Sequence, residues 1–84
     1  MSDPLRLEVD WLDSGAQHTA GWNSKEEILD ILKIGKVTTV GLLFHETEDT
    51  LYVALSYDPD NENYFGVQAI AKQNILSRRI LRAR

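Results

Sequence analysis

The arginines near the C-terminus are the side chains whose type and spacing most clearly indicate binding chemistry. Residues 66–84 contain five cationic side chains and no acidic one, whereas residues 1–65 contain all thirteen acidic side chains and four cationic ones. The formal charges of these two segments are therefore +5 and −9. Guanidinium groups present planar, forked donors that match phosphate oxygens in pairs. Arg78, Arg79 and Arg82 thus predict a surface that binds an anion.

The same arginines could serve a structural role instead of binding a ligand. Salt bridges to the acid-rich segment, within one subunit or across an interface, would use the same charges without any ligand. The overall charge favours this alternative over nucleic-acid binding, because nucleic-acid-binding domains are usually basic and this chain carries a net charge of −4.

Three aromatic side chains are candidates for stacking on a nucleobase. Trp22 stands among polar residues before a predicted helix, and Tyr57 and Tyr64 bracket the acidic loop at residues 58–63. Alternatively, Trp22 packs over the start of the helix and the tyrosines hold the loop in place. Trp11 is instead predicted to lie in the core. The candidate ligand-binding residues are Trp22, Tyr57, Tyr64, Arg78, Arg79 and Arg82.

The chain lacks the residue patterns that catalysis requires. His18 and His45 fall in predicted loops or strand ends and have no partner at metal-binding or acid–base spacing. Glu46 belongs to a polar hexad, residues 45–50, that is interpreted as a solvated hairpin turn. There is no glycine-rich phosphate loop and no cysteine. The sequence therefore predicts a protein that is not an enzyme, with no catalytic residues, no metal site and no cofactor.

The length of the chain predicts one small domain over residues 1–84. A core of this size has a thin margin of stability, and neither a disulfide nor a zinc site can add to it. We therefore expect a homo-oligomer. No apolar run is long enough to cross a membrane, the N-terminus is unlike a signal peptide, and the lack of cysteine fits a reducing compartment, so a cytoplasmic location is expected.

Alternation of apolar and polar residues predicts a mainly β protein. Leu5, Leu7, Val9 and Trp11 alternate with polar side chains, which is the pattern of a strand with one buried face. The last segment, residues 74–82, fits a helix or a strand by periodicity, and we interpret it as a strand because it can cover an open sheet edge. The other predicted strands are residues 36–45, 51–57 and 64–70.

One short helix is predicted after the first strand. Ser24 and Glu27 have the spacing of a capping box, and Ile28, Ile31 and Leu32 form an apolar stripe. Gly35 is expected at the left-handed position that ends the helix.

The sequence contains five distinctive short strings: Trp11-Leu12-Asp13-Ser14, Gly21-Trp22, Thr38-Thr39-Val40-Gly41, Ala54-Leu55-Ser56 and residues 68–76. These strings resemble a group of mostly uncharacterised phage-encoded proteins. The similarity covers roughly residues 7–81, and the closing hairpin departs from the group at Ala71, where proline is more usual. The strand order from residue 36 is similar to that of an Sm-like barrel, except that the helix follows the first strand instead of preceding it.

This resemblance and the strand pattern together set the expected fold and function. The fold is expected to be a small, five-stranded, strongly bent Sm-like barrel with one short helix inserted after strand 1. The resemblance implies a phage protein in the host cytoplasm, and by analogy an oligomeric anti-defence sponge that traps a nucleotide-type signal at a subunit interface without cutting it. Two alternatives stay open: a module that inhibits a host protein by contact, and an Sm-type binder of single-stranded nucleic acid, which the overall acidity disfavours.

Overall fold

The secondary structure is dominated by short antiparallel strands. A computed structural model describes residues 3–13 and 18–82, and the elements below are those of this part of the chain. They are β1 (Arg6–Asp13), α1 (Lys25–Ile31), β2 (Gly35–Glu46), β3 (Thr50–Ala54), β4 (Ser56–Asp58), β5 (Asn63–Phe65), β6 (Gln68–Ala71), a 3₁₀ turn (Lys72–Asn74) and β7 (Ile75–Leu81).

The main sheet has the strand order β6-β3-β2-β1-β7, and every pair of neighbouring strands in it is antiparallel. Because side chains alternate across a strand, Leu7, Val9 and Trp11 share one face of β1, and all three are buried. They pack with Leu51, Val53 and Ile70 to form the core. Trp11 is thus a core residue, as predicted, and its indole N–H donates to Thr39 Oγ1 at 3.0 Å.

The fold is mainly β with a short helix after β1, as expected, but the sheet is open and is not a closed barrel. The described chain also has seven strands instead of five, because two predicted strands are each divided. The first is divided at Leu55, whose N–H donates to the carbonyls of Phe65 and Gly66 at 3.0 and 3.2 Å. The second is divided at Gly66, which has a φ of 68°. As a result, β4 and β5 form a separate two-stranded ribbon.

The segment that was ambiguous by periodicity is a strand. β7 pairs with β1 along Arg6–Trp11, with a register shift between Asp10 and Trp11. Strands β6 and β7 lie at opposite edges of the sheet, yet only the 3₁₀ turn separates them in the chain. The sheet must therefore curl strongly, although no ladder joins β6 to β7 in the described residues.

Gly41 permits close packing between two strands at the centre of the sheet. A Cβ placed on this residue would lie 2.5 Å from Val53 Cγ1 and 2.7 Å from the carbonyl oxygen of Ala54. The register irregularity of β2 lies elsewhere, between Leu43 and His45. Glycine is needed at position 41 because any side chain there would prevent the close approach of the two backbones.

The segment that links β1 to β2 is here termed the arm and comprises residues 18–34. Its helix begins with the predicted capping box, since Ser24 Oγ accepts from the Glu27 N–H at 3.2 Å and Glu27 Oε1 accepts from the Ser24 N–H at 3.1 Å. The expectation for the helix end was wrong: Leu32 caps the helix, and Gly35 begins β2 without a positive φ.

The arm makes few contacts with the sheet, and the molecule as a whole is elongated. No residue of α1 is buried, and the helix makes no extensive contact with any strand. The Cα radius of gyration is 16.4 Å, whereas a compact chain of this length has a radius of about 12 Å. The principal extents are 55 × 25 × 24 Å. No helix in the described part of the chain has the length and apolar character needed to cross a membrane.

Candidate anion-binding site

The consecutive arginines of β7 lie on opposite faces of the sheet. Arg79 is opposite Glu8 in the ladder and Arg78 is opposite Val9, whose side chain belongs to the core face. Arg79 Nη2 lies 2.9 Å from Glu8 Oε2, and Arg78 Nη2 lies 2.9 Å from Glu46 Oε2. Each arginine therefore forms a salt bridge to an acid of the N-terminal segment, which is the use of these side chains that needs no ligand. The two salt bridges lie on different faces of the sheet.

Lys72, Glu46 and Arg78 form a group that we term the basic cluster. The Lys72 ammonium lies 2.6 Å from the same Glu46 oxygen that pairs with Arg78. The Lys72 and Glu46 side chains are 30% and 32% exposed, and the Arg78 side chain is 42% exposed. One carboxylate thus faces two cations, which leaves one positive charge uncompensated within the cluster.

Three separate elements bring the basic cluster together. Glu46 ends β2, Lys72 opens the 3₁₀ turn, and Arg78 lies in the middle of β7. The Lys72 N–H donates to the carbonyl of Asp49 at 2.9 Å, which fixes the turn against the β2–β3 hairpin. Hydrogen bonds from Lys72 first, and then from Arg78, hold the pKa of Glu46 below its usual range.

A shallow depression of about 300 Å³ adjoins the basic cluster and is lined by Lys72, Ile75, Ser77 and Arg78. It combines two cations with an apolar wall, which is a suitable setting for an anion that also carries a less polar part. Ser77 Oγ donates to Asp10 Oδ2 at 3.3 Å. Asp10 also accepts from Thr38 Oγ1 at 2.6 Å, and this bond is the main reason that the pKa of Asp10 is lowered.

The two candidate tyrosines lie together on the ribbon. The Tyr57 and Tyr64 ring centroids are 4.8 Å apart, and Tyr64 packs edge-on against Phe44 at the same distance. Tyr52 also packs against Phe44, at 6.3 Å. These ring contacts hold the ribbon against the sheet. Such packing agrees with the alternative role of the tyrosines, in which they hold the acidic loop in place. Desolvation first, and then the neighbouring Tyr64, raises the pKa of Tyr57.

Tyr57 borders a second depression, of about 220 Å³, in which Arg6 and Asp3 place opposite charges. Trp22 is fully exposed on the arm, and Arg82 is exposed just after β7. Tyr57 and Arg78 line separate depressions. Within one subunit, the two tyrosines therefore lie together, whereas Arg78 and Arg79 lie on opposite faces of the sheet. Trp22 lines neither of these two depressions.

Two members of the basic cluster were not singled out from the sequence. Glu46 was interpreted as part of a solvated turn, but it is the last residue of β2 and binds two cations. Lys72 was counted only as part of the basic C-terminal segment. The Glu46–Arg78 pair is 32 residues apart in the chain, so no local spacing indicates it. The available signal was the lack of acidic residues near Lys72 and Arg78.

The histidines do not form a catalytic or metal-binding arrangement with other described residues. His45 packs beside Tyr52, with ring centroids 5.8 Å apart, and His18 is exposed. Among residues 3–13 and 18–82, no three His, Cys, Asp or Glu side chains converge to hold a metal ion.

Comparisons with known proteins found no matching family model, no matching curated protein and no matching solved structure. The resemblance to phage-encoded proteins accordingly stays a prediction from the short sequence strings.

Proposed function

We propose that this protein is a non-enzymatic, homo-oligomeric binding module that holds a phosphate-bearing, nucleotide-type anion at the basic cluster. The observation that carries the proposal is the convergence of Lys72 and Arg78 on one oxygen of Glu46, beside an open depression. The role implied by the phage resemblance is retention of a host-defence signal in the host cytoplasm, without cleavage.

The cluster keeps donors for a ligand after Glu46 has been bound. A guanidinium group has five N–H donors and an ammonium group has three, and Glu46 Oε2 accepts one bond from Arg78 and one from Lys72. Partial burial strengthens attraction to a second anion because fewer water molecules screen the charges. Ile75 supplies an apolar wall against which a base or sugar can pack.

A thermal-shift screen tests the proposal, using mononucleotides, cyclic dinucleotides and ADP-ribose derivatives at two salt concentrations. A bound ligand stabilises the native state by about 2.7 kcal/mol at roughly a hundredfold excess over its Kd. We expect Lys72→Ala with Arg78→Ala to abolish this protection in a protein that remains folded.

Arg79→Ala is the matched control, because Arg79 is the next residue on the same strand but pairs with Glu8 on the other face. It should keep the ligand-induced shift. Glu46→Gln should increase the shift, because it removes the anion that competes for both cations. Equal loss of protection in Arg79→Ala and in the Lys72→Ala, Arg78→Ala double variant would contradict assignment of the ligand to the basic cluster.

The remaining outcomes separate the rival functions. Protection by short oligonucleotides alone, with steep salt dependence, would favour a single-stranded nucleic-acid binder. If no anion stabilises the folded protein, a module that inhibits a host protein by contact becomes the better account.

A further inference from the structure

The arm exposes an apolar surface that no other part of the described chain covers. Trp22 is fully exposed, and Leu29, Ile31 and Ile34 are 63%, 43% and 62% exposed. The helix of the arm has only seven residues, and isolated helices shorter than about 12 residues are marginal in water even with good sequences. A capping box alone does not make such a helix stable, so α1 needs a surface to pack against.

The described residues of the arm's own subunit do not provide this surface. The two strands that flank the arm meet at Asp13 and Gly35, which face each other at one end of the β1–β2 ladder. The chain exposes 6698 Å², whereas a compact monomer of this mass exposes about 5,100 Å². The excess of about 1,600 Å² per chain is about twice the roughly 800 Å² that a standard interface covers on each partner.

A matching apolar surface lies on the sheet and ribbon. Val40, Leu55, Phe65 and Val67 are 43% to 69% exposed, and we term them the body patch. Val40 and Leu55 border a depression with Gly66, and Gly66 stands between Phe65 and Val67 in the chain. The backbone at Gly66 is left-handed, and a Cβ there would approach Leu55 Cβ to 3.0 Å. The lack of a side chain at Gly66 therefore leaves a depression within the patch.

We propose that the arm of one copy packs on the body patch of a second copy, and that the second arm returns the contact. Such a two-fold exchange buries two equal contacts, which is the usual form of a homodimer. If each chain buries its excess of about 1,600 Å², the dimer buries roughly 3,200 Å², within the range of obligate homodimers. This exchange specifies the oligomer of the proposed function, and anion binding at the basic cluster does not depend on it.

Cross-linking between single-cysteine variants tests the contact directly, because the natural chain has no cysteine. A tagged Leu29→Cys variant is mixed with Leu55→Cys and treated with a short bismaleimide. The matched control replaces Leu55→Cys by Leu76→Cys, since Leu76 is also exposed but lies outside the patch. We expect a Leu29–Leu55 product several-fold above the control. Equal products, or a dominant Leu29–Leu29 product, would overturn the exchange.

Sedimentation velocity provides the second test. Wild type should have twice the 9.6 kDa chain mass, whereas Trp22→Ser with Leu29→Ser, and separately Val40→Asp, should be folded monomers. A mixture of these two variants should recover heterodimer, because one intact arm still meets one intact patch. A wild-type monomer at high micromolar concentration would overturn the proposal. Ligand-induced thermal shifts of the monomeric variants report the basic cluster separately, so the two proposals can fail independently.

Discussion

The sheet and the arm are both amphipathic, but only the sheet buries its apolar face. In β1, Leu7, Val9 and Trp11 are buried against the side chains of neighbouring strands. In α1, the stripe formed by Ile28 and Ile31 has no buried member. Amphipathic periodicity therefore indicates which face is apolar, and it does not indicate which surface covers that face.

The two regions also differ in the range of the interactions that specify them. The arm helix depends on a capping box between residues three positions apart. The sheet depends on ladders between distant residues, such as the two that pair Val9 with Thr39 on one side of β1 and with Arg78 on the other. Substitutions should consequently affect the whole molecule when made in the sheet and only the local helix when made in the arm.

The strongest test of this contrast compares Leu51 with Leu29. Leu51 is fully buried, so Leu51→Ala should lower the free energy of unfolding by about 2–5 kcal/mol through lost burial and a cavity. Leu29→Ala, measured by urea denaturation where the chain is monomeric, should change this free energy by less than about 0.5 kcal/mol. Equal losses would mean that the arm folds together with the sheet.

Gly41 and Gly35 provide a second comparison, within β2. Gly41→Ala should destabilise the sheet by about 1–3 kcal/mol, because its Cβ would meet the backbone oxygen of Ala54. Gly35→Ala should have little effect, since a Cβ at Gly35, where the arm joins the sheet, meets nothing within 4 Å. Thermal unfolding of the two variants measures the difference, and the reverse order of stability would refute the packing described for Gly41.

In the arm, Ser24→Ala should weaken α1 by about 0.5–2 kcal/mol, because the Glu27 N–H loses its acceptor. Hydrogen exchange of the α1 amides should become faster, while exchange of the β1 amides stays unchanged. Lys25→Ala is the control, since Lys25 lies in the same turn but makes no capping bond. Slower folding or faster exchange throughout the sheet would show that the helix is coupled to it.

The smallest expected effect is a dependence on pH at Glu46. Lys72 and Arg78 lower the pKa of Glu46 from its ordinary value of 4.5. Because the folded state then binds this proton less readily than the unfolded state, the contribution to stability is present above that ordinary value and is lost as pH falls through the lowered pKa. The difference in thermal midpoint between wild type and Glu46→Gln should therefore shrink on acidification, between about pH 7 and pH 3. A difference that does not vary with pH would refute the ion-pair assignment.

Much of the secondary structure could be predicted because the patterns involved are local. The alternation in β1, the capping box of α1 and the polar turn before β3 each depend on residues a few positions apart. The division of the later strands could not be predicted, because it depends on contacts between distant residues, such as the bonds from the Leu55 N–H to the carbonyls of Phe65 and Gly66. The same holds for the basic cluster, because Arg78 is brought to Glu46 by the pairing of β7 with β1, two strands distant in sequence.

The sequence by itself determined the approximate positions of the β segments, where the helix begins, and that the cations are concentrated near the C-terminus. These properties follow from backbone preferences and from the periodicity of side chains along a strand or helix. Only the tertiary structure decided that the sheet is open, and that Arg78 joins Lys72 at Glu46 while Arg79 binds Glu8. Each of these depends on the pairing of strands distant in sequence, because pairing sets which side chains meet across the sheet.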